Sequence, residues 1–517
     1  MLEQINNEKN VHPLGEHQKS TVEKKRDNFC ETFGGKIHVN WDENAPMTPH
    51  AQAVYFADFL KVTGLYESWL KETPLHLKSP NTPKKEDVIG TAFLGILTGQ
   101  NRYAHITGIR RDEVLMKCFG LTKIVSEDSL RRNLKKIDEE SGYSWLLKHL
   151  KICYWPLLYE PYIIDIDVTV KPIYGKQEGA NLGYNPHKPG RPSHTYHTYF
   201  ISNLRLVLHV DIKPGNESSS KYTQEGFWVY IDGLPMNCRP KIIRGDIAFG
   251  TDSMMESSKN CNLKYLFKLK RTKRVKELIE ILAHRDDLEW ENANNGWEGV
   301  NSTIRLTGWK KQRRIIILRR VLKEQNNFKK DKKDQGHFYF YNDISTKKKY
   351  EYTVLVTNLE LEILSISQLY HERADAENNF DEMKNQWGWG GYTTQDLKRC
   401  RLMARMIALV YNWWNIFIRL AVPKKHHEAI TSRPLFLNGV GRMIKHARQT
   451  KLILSSLHGR SIGISEIMQK INSLLIWIRR NAEQLAIFGI YRMVLSIAFK
   501  YFIGERPLKV PIGLEFQ

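Results

Sequence analysis

LYHERADAENNFDEMKNQW, residues Leu369–Trp387, places Tyr370, Arg373, Glu377 and Lys384 at intervals of two, three and six intervening residues. A helix turns about 100° per residue, so the last three fall ~60°, ~20° and ~40° from Tyr370 on one side. Asp381 joins that face, about 20° off. A phenol, a guanidinium, a carboxylate and an ammonium in one line make a poor core surface and a good phosphate-handling one. Ser365 or Ser367 is suited to cap the start, no Pro interrupts, and Gly388 stands where the helix should stop. Taken alone, the pattern also describes a solvated amphipathic helix with i,i+4 pairs such as Arg373 and Glu377. Two carboxylate motifs upstream weigh against that plainer reading.

YIIDIDVT (Tyr162–Thr169) predicts a strand, which puts Asp165 and Asp167 on one face. KIIRGD (Lys241–Asp246) predicts another that ends in Asp246, and functional carboxylates often sit at strand C-termini in open α/β sheets. Three such carboxylates can converge to hold two Mg2+ ions, hard cations that take oxygen ligands. Ions ~3.5–4 Å apart activate the attacking oxygen and stabilise the leaving one at a phosphodiester. Singly, Asp165 and Asp167 read equally well as a strand-edge pair bound to amides, and Asp246 as a cap or turn residue. The three sites in this order are harder to read that way.

The chain has 517 residues, with 78 Lys+Arg against 56 Asp+Glu and a formal charge of +22. Roughly two to four structural units are expected at this length. The basic surplus is spread along the chain and favours a polyanionic partner, nucleic acid before anionic membrane. Cys30, Cys118, Cys153, Cys238, Cys261 and Cys400 form no CxxC, so zinc and redox motifs are unsupported and a reduced intracellular compartment is expected. No signal peptide is read in the polar N-terminus. Met403–Val422 and Leu485–Ile503 are apolar but broken by Arg405, Arg419, Arg492 and Lys500, which predicts buried helices and no membrane partner.

Residues 1–47 read as a loose arm and 48–155 as a helical DNA-binding domain. In the latter, Ser126 caps KIVSEDSLRRNLKKIDEE, Leu130, Leu134 and Ile137 form its buried stripe, and Arg131, Arg132, Lys135 and Lys136 lie off it. That suits a basic recognition-like helix, or equally a solvated face on a bundle. Strands and then strand–helix alternation over 156–285 predict a mixed sheet with helices packed on it, the first part of a catalytic core. Residues 286–361 read as a β-rich insertion, 362–394 as the final core helix and 395–517 as a helical region. KPGRP (Lys188–Pro192) offers Arg191 to a narrow minor groove, or makes a plain surface turn. WKKQRRIIILRR suits backbone tracking or a charge-guarded edge strand. His426 and His427 lack metal-ligand company and read as surface residues.

With DIDVT, YGKQEGANLGYNPHKPGRPSH, IIRGDIAF and the Tyr370-Arg373-Glu377-Lys384 spacing together, the chain resembles a DDE transposase of bacterial insertion sequences, in the cut-and-paste group with a Tyr-Arg-Glu-Lys signature. The resemblance runs from about residue 48 to near residue 455. It implies a ribonuclease-H-like core within an α/β fold, with helical N- and C-terminal domains. It implies that Asp167, Asp246 and Glu377 bind the metals, Asp167 being preferred to Asp165 because it precedes Thr169 by two residues. Mn2+ is expected to substitute for Mg2+. Tyr370, Arg373 and Lys384 are implied to contact transposon-end DNA, alongside Arg191, Arg131 and Arg132. An aromatic of the insertion would stack on a flipped base, with Tyr352, Trp309 and Trp297 as alternatives; Thr353 stands where one is expected.

The expected activity is metal-dependent cleavage at terminal inverted repeats of double-stranded DNA, followed by 3′-OH attack on target DNA. A homodimer in a synaptic complex, through residues 395–517, and a bacterial cytoplasmic, nucleoid-associated location complete the expectation. The rivals are a catalytically silent DNA-binding regulator and a ribonuclease-H-like nuclease without strand transfer.

Overall fold

The computed structural model describes residues 29–39, 45–185, 188–217, 219–322, 341–342, 349–456, 461–481, 487–504 and 508. FKKDKKDQG and most of GHFYFYND lie outside them. Residues 1–46 form one unit, in which β1 (Phe29–Thr32) and β2 (Gly35–His38) pair as an antiparallel hairpin. The remaining chain forms the second unit, described from here on.

It opens with β3 (Met47–Thr48), α1 (Ala53–Thr63), α2 (Leu65–Lys71), α3 (Lys85–Leu97), α4 (Glu113–Cys118), α5 (Glu127–Leu134) and α6 (Glu139–Tyr154). Ser126 caps α5 by accepting from the Ser129 amide at 3.4 Å, and Leu130, Leu134 and Ile137 are buried as their spacing predicts. The sheet region follows with β4 (Ile163–Pro172), β5 (Ser193–Ile201), β6 (Leu206–Pro214), α7 (Ser219–Asp232), β7 (Ile242–Gly245), α8 (Asp252–Asn260), β8 (Lys264–Lys268) and α9 (Lys273–Ala283). Then come β9 (Glu291–Asn292), β10 (Trp297–Ile304), β11 (Arg313–Val321), β12 (Tyr341–Asn342) and β13 (Lys349–Thr357). The chain continues through α10 (Ile363–His371), α11 (Ala374–Asn385), α12 (Leu397–Ala421), α13 (Ala429–Phe436), β14 (Gly441–His446), β15 (Gln449–Leu454), α14 (Ser461–Asn481), α15 (Ile487–Ala498) and α16 (Lys500–Ile503).

One mixed sheet runs in the order β6-β5-β4-β7-β8-β13-β11-β10-β9, with β12 paired to β13. Pairing is antiparallel across β6, β5 and β4 and parallel across β4, β7 and β8. The β-rich stretch after α9 is continuous with these strands, because β13 pairs antiparallel with β8. Two differences from the sequence expectation stand out. α7 was not anticipated, since Gly226 and its polar first half disguise it. β6 begins only at Leu206, because Arg205, with a φ of 55°, turns the chain between it and β5, a break that alternation does not signal.

α12 shields one edge of this sheet. Asn412 reproduces a strand partner for β6, accepting from the Val207 amide at 2.9 Å and donating to the Val207 carbonyl at 2.8 Å. Edge groups of this kind otherwise invite pairing with another chain. Trp413 of α12 meets Trp69 of α2, and Trp414 and Phe417 meet Phe56 of α1, so the early helices share the sheet's core. Among the described residues no helix is long and apolar enough to cross a membrane.

Polar residues on β5 and β6 are buried beneath these helices. Burial pushes His197 down to about 3 and His209 down to about 4, against the upward pull of Asp211. Both lie below the unfolded value of about 6.5, so the unfolded chain takes up protons first and stability falls as pH drops from 6.5 towards 4. The melting temperature should therefore decline between pH 7 and pH 5, and less steeply in His209→Gln. A flat profile would show that neither ring is held neutral.

Candidate active site

The carboxylate arrangement follows from strand register. Ile166 of β4 pairs with Gly245 of β7, and Gly245 pairs with Phe267 of β8. One residue further along each strand come Asp167, Asp246 and Lys268, just beyond the last paired rung of β7, while β4 continues to Pro172. Asp167 and Asp165 share a face, as two residues apart on a strand must, but their partners differ completely. Asp165 is fully buried and accepts two 2.7 Å hydrogen bonds from Arg244, its register partner on β7. Arg244 also donates through Nη1 to the Leu369 carbonyl near the end of α10. Asp165 thereby fastens two strands to the signature helix, leaving Asp167 to face the open site.

The signature is not one helix. α10 starts after Glu362 rather than at Ser365 or Ser367, and ends at His371. The turn then tightens, with the Arg373 amide donating to the Tyr370 carbonyl at 3.0 Å, and α11 begins at Ala374. The reason lies in the side chain: Arg373 is buried and donates to Asp167 Oδ2 at 2.6 Å and to Glu377 Oε1 at 3.1 Å. Gly388 then ends the segment with a φ of 98°, a conformation that suits glycine.

All four signature side chains sense Asp167. Burial raises the Asp167 carboxyl to about 7; Arg373 pulls it down, while Asp246 and Glu377 push it up. Burial opposes the charge on Arg373, yet Asp167, Tyr370 and Asp246 outweigh it and hold the guanidinium above its ordinary value. The Tyr370 phenol is pushed up by burial and by the surrounding carboxylates, against Arg373. Lys384 is lowered by burial, with Asp381 and Asp167 pulling it back up. Asp381 itself is exposed and accepts from Asn385 at 2.6 Å.

Lys268 is the residue that sequence reading missed. Burial, Arg271 and Arg373 lower its ammonium, while Glu377 and Asp246 raise it, which places it among the same charges. Its only signal is its place at the end of β8, straight after the apolar residues Tyr265–Phe267.

Among the described residues no three His, Cys, Asp or Glu side chains lie close enough to hold a metal ion. Arg373 stands between two of the three carboxylates instead. The donor set still fits a hard divalent cation: it is oxygen-only, and Asp246 and Glu377 both raise the Asp167 carboxyl, which places the three carboxylates within reach of one another's charge. The buried Arg373 Nε also has no hydrogen-bond partner among the described residues.

The other expected contacts are scattered. Arg191 lies 4.8 Å over the exposed Tyr174 ring, on a turn that Asn185 braces by accepting from the Lys188 amide at 3.0 Å. Arg131 packs 5.2 Å over Tyr103, whereas Arg132 is exposed. Tyr352, Trp309 and Trp297 are each buried, with no more than 8% of their surface exposed, so none stands ready to stack on a base. His426 is not a bare surface residue: it meets the buried Glu382 at 2.8 Å and Asn415 at 3.1 Å.

Removing one partner of a buried ion pair costs about 3–5 kcal/mol, because the other charge stays behind. Arg244→Met should lose about that much stability in urea unfolding, and Asp165→Leu/Arg244→Met should recover a large part. A single-variant loss under about 1 kcal/mol would contradict the buried strut.

A family model described as Transposase DDE domain group 1 matches residues 56–475. No curated protein sequence matches the chain. Among solved structures, a piggyBac transposase synaptic complex with hairpin DNA is similar at a TM-score of 0.38 and 11% identity, over 87% of this chain and 86% of that one. A likeness so remote assigns no residue.

Proposed function

This chain belongs to the group 1 transposase DDE domain family, and we propose that it cuts the ends of its own element and joins the freed 3′-OH to target DNA. The observation that carries the reading is the convergence of Asp246, Glu377, Arg373, Tyr370 and Lys384 on the charge of Asp167. A ribonuclease-H-like core is supported by the strand order β6-β5-β4-β7-β8, antiparallel over the first three and parallel over the last three.

Asp167, Asp246 and Glu377 would hold Mg2+ or Mn2+. When bound, two such ions activate the attacking oxygen and stabilise the leaving one. Arg373 holds one oxygen of each of Asp167 and Glu377, and in this reading it loosens its hold on at least one of them as the metals bind and turns towards a DNA phosphate. Glu377 is well placed for this, because its side chain is 69% exposed. Lys268 and Lys384, half-buried beside the carboxylates, supply positive charge for the phosphate oxygens. Tyr370 stays a neutral phenol and donates a hydrogen bond. Arg191 and Arg132 would meet DNA further from the reacting bond. Two copies would act together on two ends, through residues 395–517. There α12 is committed to the core, while Ile462 and Trp477 of α14 are exposed. A location beside bacterial chromosomal DNA follows from this substrate.

The test is strand cleavage of a labelled duplex carrying the element's own end, with Mg2+. Wild type should nick at the terminus, and Glu377→Ala should lower the rate by a factor on the order of 10³ or more. Binding without cutting by both proteins would favour the silent regulator. Cutting that ignores the terminal sequence would favour a nuclease without strand transfer. Equal cutting by both proteins would remove Glu377 from the chemistry.

A further inference from the structure

Two grooves meet on the helical region that precedes the sheet. One, of about 480 Å³, is lined by Arg110, Lys123, Arg132 and Lys136. The other, of about 440 Å³, carries Lys78, Lys84 and the half-buried Lys85, which donates to the Lys71 carbonyl at 2.8 Å. Thr82 and Pro83 line both, so the two form a continuous trough. The six cations other than Lys85 are exposed, and no Asp or Glu lines either groove. None of the six makes an ion pair among the described residues. Elsewhere in this chain arginines find acids: Arg313 is shared by Asp252 and Glu256, Arg319 bonds Glu298, and Arg320 bonds Glu351.

The trough has a rigid floor. Asp87, buried on α3, accepts from the Thr122 amide at 2.8 Å and the Lys123 amide at 3.2 Å. One turn on, Thr91 Oγ1 accepts from the Val125 amide at 2.9 Å. These bonds fix residues 122–125 against α3, and Ser126 then starts α5, which presents Arg132 and leads into Lys136. Arg131 is not part of the lining; its guanidinium lies over Tyr103.

We infer that this trough seats the sugar–phosphate backbone of duplex DNA and holds it by charge rather than by base sequence. α5 then lies along the backbone instead of entering the major groove. The choice of DNA as the polyanion rests on the transposase reading above; the trough itself rests on the six uncompensated charges and the hydroxyls of Ser126 and Ser129 among them. A membrane surface would call for an apolar rim, whereas Ile124 and Val125 are buried in the floor. Each phosphate neutralised adds about −0.9 to the slope of log K against log salt.

The experiment measures binding of the full chain to two labelled duplexes, one with the element's end and one unrelated, from about 50 to 200 mM salt. Arg132→Ala/Lys136→Ala should flatten the slope by about 1.8 on both duplexes, while Lys117→Ala, outside the trough and paired with Glu113 at 3.1 Å, leaves it unchanged. All variants touch half-buried or exposed side chains, and equal melting temperatures verify their folding. An unchanged slope in the double variant would overturn the inference. So would a loss confined to the element's end, which would mean base reading, or a loss seen only on anionic lipid vesicles. If wild type neither cuts nor prefers its end but the slope still flattens, the DNA surface stands and the transposase reading falls. Normal end cutting with an unchanged slope removes the trough alone.

Discussion

One guanidinium shared by two carboxylates sets the geometry around it. Arg373 joins Asp167, on a strand, to Glu377, on the following helix, through bonds of 2.6 and 3.1 Å. The Asp167 bond is shielded from bulk water, so either of its partners left alone would be costly, whereas the Glu377 bond is open to solvent and much weaker. The helix tightens and breaks at this residue so that the side chain can reach inward. The same contact explains why the three carboxylates do not close on one another. A cation already stands between two of them, and in the proposed reaction it is the cation that moves.

Movement of one side chain is useful only if the surrounding frame stays still. Arg244 supplies that stillness by holding Asp165 with two hydrogen bonds and the Leu369 carbonyl with a third. It ties β4, β7 and the end of α10 at one point, a single residue before Tyr370. Behind them α12 covers the sheet edge, with Asn412 standing in for a neighbouring strand. At these points the frame is held by buried polar groups that partner one another, and the working residues project from its rim.

Much of this was legible in the sequence because it depends on local spacing. Alternation fixed the shared face of Asp165 and Asp167, the apolar run ending at Gly245 fixed where Asp246 emerges, and the stripe of Leu130, Leu134 and Ile137 is buried as its spacing predicts. What was not legible depends on tertiary contacts. A helical wheel drawn from Tyr370 assumes an unbroken backbone, so it could not anticipate the pull of Asp167 on Arg373. A lysine such as Lys268 has no motif; only the register of three strands brings it level with Asp246. Tyr352, Trp309 and Trp297 looked available as aromatics, but large rings in a two-sided sheet are drawn into its core. Arg131 and Arg132 are indistinguishable as letters, and only the position of Tyr103 separates them.

The central claim is that Arg373 and a divalent cation compete for Asp167 and Glu377. Mn2+ titration of the DNA-free protein by calorimetry, comparing wild type, Arg373→Ala and Asp167→Asn, addresses it without relying on activity. The account predicts that Arg373→Ala binds Mn2+ more tightly than wild type, because the competing charge is gone, and that Asp167→Asn binds it more weakly. Unchanged or weaker Mn2+ binding in a folded Arg373→Ala protein would contradict it, and would make Arg373 a support for the metal site rather than its rival.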